Sequence, residues 1–177
     1  LIGGVLFADF NSIEDIKPKI NEKTCAILLE PIQAEGGIYP ADLKYLKELR
    51  KLCDEKDILL IFDEIQCGMG RTGDLFAWQG YGVKPDILTC AKALGCGVPV
   101  GAFAATEKVS TAFEPGDHGT TYGGNPLATA AVNAVFDQFE KLNLTEYVKK
   151  TAAYLEEQLD LLVSEYKGIK FAIIGKV

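Results

Sequence analysis

The sequence predicts an α/β domain: a mostly parallel sheet with one antiparallel strand and helices on both faces. Three observations predict it. Two short runs, residues 25–29 and 58–62, are apolar without alternation, the pattern of strands buried on both sides. Between them Leu43, Leu46, Leu49, Leu52 and Cys53 recur at helical spacing, so a helix joins the two strands. Two later runs, residues 86–90 and 99–105, lie only about eight residues apart, whereas a parallel crossover needs about a dozen or more. If those two are neighbours, they run antiparallel.

Taken in order, Ser12-Ile13-Glu14-Asp15 has the form of a capping box and opens a short helix reaching about Ile20. Residues 25–29 form the first strand, fully buried and closed by Glu30-Pro31. A helix follows Pro40. Residues 58–62 form the second buried strand, ending at Asp63-Glu64. The antiparallel pair comes next. Asn125-Pro126 then starts an Ala-rich helix to about Lys141, with Asn as its cap and Pro at the first helical position. A last helix carries Val148, Ala152, Leu155, Leu159, Leu162 and Tyr166 on one face, and residues 169–174 read as a final strand. No repeat or linker divides residues 1–177, so they form one structural unit. The one methionine is Met69, and the chain opens on Leu1, which reads as a piece of a longer protein.

Composition narrows the function. The 177 residues are 48% hydrophobic and 24% charged, enough to bury a core and at odds with disorder. A formal charge of −7 argues against a surface that tracks nucleic-acid phosphates. No apolar run approaches the roughly 20 residues needed to span a bilayer. Five cysteines, odd in number and without metal-ligand spacing, suit a reducing cytoplasm.

Two familiar nucleotide signatures fail in context. Gly68-Met69-Gly70-Arg71-Thr72-Gly73 matches G-x-G-x-x-G, but it neither follows its strand directly nor opens a long helix. The acidic strand end at Asp63-Glu64 has no G-x-x-x-x-G-K-[ST] to accompany it. A third constellation is more specific. Asp63 ends one buried strand and Lys92 follows another, and open α/β sheets place their ligands at those strand ends. Lys92 sits among Ala91, Ala93 and Leu94, where desolvation would lower its pKa and free the amine as a nucleophile; the plain alternative is a lysine snorkelling from a strand end. A buried Asp and Lys together also meet the needs of pyridoxal phosphate chemistry, in which Lys forms a Schiff base and Asp keeps the ring nitrogen protonated.

Four blocks carry a resemblance: Glu30-Pro31-Ile32-Gln33-Ala34-Glu35-Gly36-Gly37, residues 62–73, residues 85–95, and His118-Gly119-Thr120-Thr121-Tyr122-Gly123-Gly124-Asn125-Pro126-Leu127. In content and order they closely resemble the class III aminotransferases, pyridoxal-phosphate enzymes of fold type I. The resemblance implies that this chain is the latter part of the large, cofactor-binding domain, with the start of that domain and a small C-terminal domain lying outside it. It implies that Lys92 is the cofactor-bearing lysine and Asp63 the partner of the ring nitrogen. Ile65 matches the apolar residue against one ring face, and Gln66 the residue bonding the ring hydroxyl. Thr121, with Thr120 beside it, matches the loop that reaches the cofactor phosphate of a neighbouring subunit, which implies a homodimer with composite sites. Glu35 matches the glutamate beside the substrate pocket, expected to pair with an arginine of the C-terminal domain. Thr120 stands where Ser is commoner, and Ala34 replaces a usual Gly.

The activity implied is amino transfer from an ω-amino compound such as N-acetylornithine to 2-oxoglutarate, in arginine biosynthesis, with ornithine or 4-aminobutyrate as the alternative donors. The contrasting reading is a catalytically silent interaction domain on the same fold, against which the joint presence of Asp63, Gln66 and Lys92 speaks. Other residues in the blocks have simpler expected roles. Arg71 braces its Gly-rich turn, His118 is a turn residue, Cys67, Cys90 and Cys96 are packing thiols, and Glu30 closes its strand by bonding local amides.

Overall fold

The computed structural model describes residues 3–166. Its first helix, α1 (Ile13–Ile16), starts as expected: the Ser12 hydroxyl accepts from the Asp15 amide at 3.2 Å. Only half of the capping box forms. The Asp15 carboxylate accepts from the Asp9 amide at 2.7 Å and pairs with Lys19 instead of reaching back to its own cap. Pro18 lacks an amide proton, and the next turn tightens into a 3-10 helix, Lys17–Lys19.

Strand β1 (Ala26–Leu29) follows, and then a hairpin of two very short strands, β2 (Ile32–Gln33) and β3 (Tyr39–Pro40), which the apolar pattern does not announce. Helix α2 (Leu43–Lys56) ends where Asp57 adopts a left-handed conformation, φ 50°. It leads into β4 (Leu59–Asp63), and the five-residue helix α3 (Ala77–Tyr81) leads into β5 (Ile87–Cys90). After β6 (Ala102–Ala105) come the short α4 (Glu107–Ser110) and two long helices, α5 (Pro126–Leu142) and α6 (Leu144–Glu165).

The sheet order is β1-β4-β5-β6. β1, β4 and β5 are parallel, and β6 pairs antiparallel with β5, as the short connection requires. One face of this sheet is the core. Leu60, Phe62 and Leu88 pack into one cluster with Leu46, Leu49 and Cys53 of α2. Complete burial of side chains such as Leu60 and Phe62 contributes about 1.5–3 kcal/mol each. The other face is open at Leu28, 65% exposed, and Phe103, 52% exposed. Residues 25–29 are therefore apolar throughout without being buried throughout: alternate side chains point to opposite faces, and among the described residues the packing is on one of them.

Asp86 fixes the register that places the functional strand ends. Arg50 of α2 donates to Asp86 Oδ2 at 2.8 Å, and the same oxygen accepts from the Leu60 amide at 2.8 Å. The Asp86 amide donates to Leu60 O, also at 2.8 Å. Phe62 then lies opposite Leu88 and Asp63 opposite Thr89.

Asn125 caps α5 by accepting from the Ala128 amide at 3.0 Å, with Pro126 leading the first turn. Val132, Val135, Phe136 and Phe139 of α5 pack on Met69, Cys90 and Leu94, a second and smaller core. The stripe expected on α6 is present in sequence, but Leu155, Leu162 and Tyr166 stand 50%, 42% and 57% exposed. Periodicity fixes which side of a helix can pack, not what lies against it. The strand expected at 169–174 falls outside the described residues. Among the described residues no helix is long and apolar enough to cross a membrane.

Candidate functional site

β4 and β5 end side by side, and the loops leaving them hold the chemistry, as in other open parallel sheets. Asp63 closes β4 half-buried, its Oδ1 accepting from the Ile65 amide at 3.0 Å. Asp63 Oδ2 takes no hydrogen bond from the described residues. Opposite it, Thr89 holds a buried hydroxyl with no hydrogen-bond partner.

Two residues past β5 the chain turns sharply. Lys92 opens the 3-10 turn Lys92–Leu94 with φ 48°, a left-handed conformation that lysine adopts only under constraint. The constraint comes from both sides: Leu94 is buried in the second core, and the turn closes on Gly95. A Cβ at Gly95 would stand 2.2 Å from Val98 O, so only glycine lets the chain fold back there.

This turn throws the Lys92 side chain outward to meet two other segments. Its Nζ donates to Gln66 Oε1, in the loop after β4, and lies 3.5 Å from Glu35 Oε1, at the β2–β3 hairpin. Two of the residues singled out in the sequence, 57 and 26 positions away from Lys92, thus converge on its amine. The expectation of a desolvated lysine is not met. Lys92 is 50% exposed and held by a polar pair, because the apolar neighbours that suggested burial point elsewhere.

Glu64 is the functional-looking residue whose role sequence reasoning missed. It is 1% exposed, and its carboxylate accepts from the Ala77 amide at 2.6 Å and the Trp78 amide at 2.8 Å, so it caps α3. Burial pushes its carboxyl above the usual carboxylate range, and the two amide bonds oppose that rise. Neighbouring strand residues face opposite ways, so Asp63 serves the site and Glu64 the core. Its partners lie 13 and 14 residues downstream, beyond the reach of any local capping pattern.

Ile65 and Gln66 are half-buried on the loop between β4 and α3. Thr120 and Thr121 sit on an exposed loop just before α5, and their approach to any other site residue is not part of the local bonding of that loop, where Asn125 donates to Tyr122 O at 2.8 Å. His118 is exposed on the same loop. Cys67 and Cys90 are buried packing thiols, but Cys96 is exposed. Glu30 bonds the Ala34 amide at 3.2 Å, as expected of a strand closer. Arg71 is exposed, and it is its backbone amide, not its guanidinium, that bonds Gly68 O at 3.4 Å. The Gly-rich loop packs against a helix: Gly70, φ 80°, admits the Phe139 ring of α5 where a Cβ would lie 2.6 Å from it.

Comparison with known proteins accounts for this arrangement. Residues 8–172 match the family Aminotransferase class-III. The acetylornithine aminotransferase of Methanocaldococcus jannaschii is 52% identical over 167 residues, which are 94% of this chain and 42% of that protein. The acetylornithine aminotransferase of Clostridium acetobutylicum is 54% identical over 170 residues, 96% of this chain and 44% of that protein. Among solved structures, the acetylornithine aminotransferase of Elizabethkingia anophelis superposes with a TM-score of 0.85 at 34% identity, covering 94% of this chain and 45% of that one. The ornithine delta-aminotransferase of Plasmodium falciparum gives 0.84 at 33% identity, over 94% of this chain and 44% of that one. The chain thus spans less than half the length of the curated relatives it matches. A strand-end Asp, a turn-borne Lys and a sheet with one reversed strand, within a match covering nearly the whole chain, have a single common source: the chain belongs to the class-III aminotransferases.

Proposed function

We propose that residues 1–177 are part of the large domain of a transaminase that uses pyridoxal 5′-phosphate and moves an amino group from an ω-amino compound, N-acetylornithine foremost, to 2-oxoglutarate in arginine biosynthesis. The observation that carries this reading is the convergence of Gln66 and Glu35 on the Lys92 amine, just past the strand that pairs with the one Asp63 ends, in a chain about half identical to proteins named acetylornithine aminotransferase. The residues present suit the cofactor. An amine matches its aldehyde, a carboxylate with an open oxygen matches its ring nitrogen, and a side-chain amide matches its hydroxyl. Opposite that carboxylate the Thr89 hydroxyl is left without a partner, as suits a site whose polar groups are set only once it is filled.

When bound, pyridoxal phosphate withdraws electrons from the substrate carbon that carries the amino group. The chain supplies the rest. Lys92 Nζ would hold the cofactor, and as a free amine it would take a proton from the substrate carbon and return it. Asp63, whose Oδ2 is open, would accept from the ring N–H and keep the proton there. Gln66 turns its amide to the ring hydroxyl, and Ile65 covers one ring face and excludes water. Glu35 stands over the amine where the substrate arrives. We place the enzyme in the reducing cytoplasm, which its five free thiols suit.

Turnover by the full-length protein with 2-oxoglutarate should be at least about tenfold more efficient for N-acetylornithine than for ornithine or 4-aminobutyrate, about 1.4 kcal/mol of transition-state discrimination. A higher kcat/KM with either competitor reassigns the donor. No turnover with any of the three removes the transaminase reading.

The same reading includes a homodimer in which Thr121 and Thr120 serve the partner's cofactor phosphate. Two hydroxyls directly before the free amides of the α5 N-terminus suit an anion, and Asn125 already caps the helix for its own chain. Mixing full-length Lys92→Ala with full-length Thr121→Ala tests it. Sharing in trans puts both lesions at one site of each mixed dimer and leaves the other intact. Complete exchange then restores about a quarter of wild-type activity, since half the dimers are mixed and each has one good site. If Thr121 acts within its own chain, mixing restores nothing.

A further inference from the structure

We propose that Thr89 is a positioning residue for Asp63: its hydroxyl donates to the second oxygen of the carboxylate when the site is loaded, and so aims Asp63 at the ring nitrogen. The inference rests on the pyridoxal phosphate reading above and goes one residue beyond it.

Asp63 and Thr89 are direct partners in the parallel β4–β5 pair, so their side chains leave the same face of the sheet about 5 Å apart. That spacing lets a carboxylate and a hydroxyl meet by side-chain rotation alone. Asp63 is tied at one oxygen only, Oδ1, by the Ile65 amide at 3.0 Å. A carboxylate held at one point can still swing about its own χ2. A second donor on the far side stops the swing, and the residue placed to supply it is Thr89.

Thr89 needs a partner as much as Asp63 does. Its Oγ1 is buried and bonds nothing, a costly state for a hydroxyl and a rare one in native proteins. The strand does not call for the oxygen. Valine has the same shape, suits a strand equally well and would leave no orphan behind. The other orphaned hydroxyls, Thr72 in the Gly-rich loop and Thr106 after β6, are not paired with a site residue. Among the described residues, Thr89 is the orphaned hydroxyl that stands directly opposite a site carboxylate with an open oxygen. A hydrogen bond to the ionised form also favours that form, and the ionised form is the one a protonated ring nitrogen requires.

The test is a double-mutant cycle in the full-length protein, read as the dissociation constant of pyridoxal 5′-phosphate for the apoprotein by absorbance titration, with thermal melting as a check on the fold. Thr89→Val should weaken binding about tenfold, as removal of a hydrogen bond to a charged group does, while its Tm stays level or rises. Thr89→Ser, which keeps the hydroxyl, should restore binding to within about twofold. In an Asp63→Asn background Thr89→Val should change the constant by less than about twofold, because the charge it serves is gone. Equal losses in both backgrounds, or no loss in either, overturn the inference. If Asp63→Asn weakens binding and Thr89→Val does not, only the role of Thr89 falls. If Asp63→Asn leaves binding unchanged, the placement of the cofactor falls, and Thr89 with it.

Discussion

Full-length Lys92→Ala protein is expected to fold normally and to lose transamination by about 10⁴-fold or more, the upper end of what a positioned acid–base group supplies. The loss should be that large because one amine does two jobs: it holds the cofactor, and it moves the proton. Folding should survive because the side chain is 50% exposed and its bonds to Gln66 and Glu35 are surface contacts. The left-handed φ of 48° at this position strains alanine no more than it strains lysine. Two measurements check the assignment. Borohydride reduction of the loaded wild-type protein, followed by peptide mapping, should find the pyridoxyl adduct on Lys92. A small primary amine added to the Lys92→Ala protein should recover part of the rate, since a free amine can carry the proton without being tethered. An adduct on any other lysine, or a variant that retains wild-type turnover, ends the role given to Lys92.

What the sequence makes visible here is whatever is local. β4 and β5 are short apolar runs with a charge at or just past their ends, which puts Asp63 and Lys92 at strand ends from sequence alone. The reversed β6 follows from the length of one connection. The capped start of α5 follows from Asn125-Pro126 alone. Features that depend on distant partners are not visible. The β2–β3 hairpin consists of two-residue strands paired as Ile32 with Pro40 and Gln33 with Tyr39, too short for any period to register, so nothing local announces that it presents Glu35 to Lys92. In the sequence Glu64 is only the second acid at a strand end, and its role shows when the amides of α3 are seen closing on it. Lys92 misleads in the opposite way. Ala91, Ala93 and Leu94 suggest a buried lysine, but a 3-10 turn sends Leu94 into the core and Lys92 out, because successive side chains in so tight a turn point in different directions. The G-x-G-x-x-G segment is the same lesson in reverse, a familiar pattern whose glycine at 70 answers to the packing of Phe139.

Asp63 and Glu64 are adjacent acids with opposite tasks, and that makes the second large prediction a paired one. Asp63→Asn is isosteric and keeps the acceptor for the Ile65 amide, so the loop to Gln66 should hold its course and the Tm should barely move. What it loses is the negative charge facing the ring nitrogen. That charge matters most where electrons collect on the ring in the transition state, so kcat should fall by about 10² to 10⁴-fold, the range seen when a preorganised electrostatic partner is removed. Glu64→Gln should do the reverse. The carboxylate is buried and accepts from two amides of α3, and a neutral amide in its place weakens both bonds and brings its own N–H₂ toward buried donors, a cost of about 1–3 kcal/mol. That variant should melt several degrees lower, while its folded fraction turns over at close to the wild-type rate. Thermal melts and kcat measured on the same two preparations decide the matter. Near-normal turnover in Asp63→Asn removes Asp63 from the chemistry. An unshifted melt in Glu64→Gln means that the cap on α3 contributes nothing, and with it goes the argument that strand alternation, not acidity, assigns the two residues their roles.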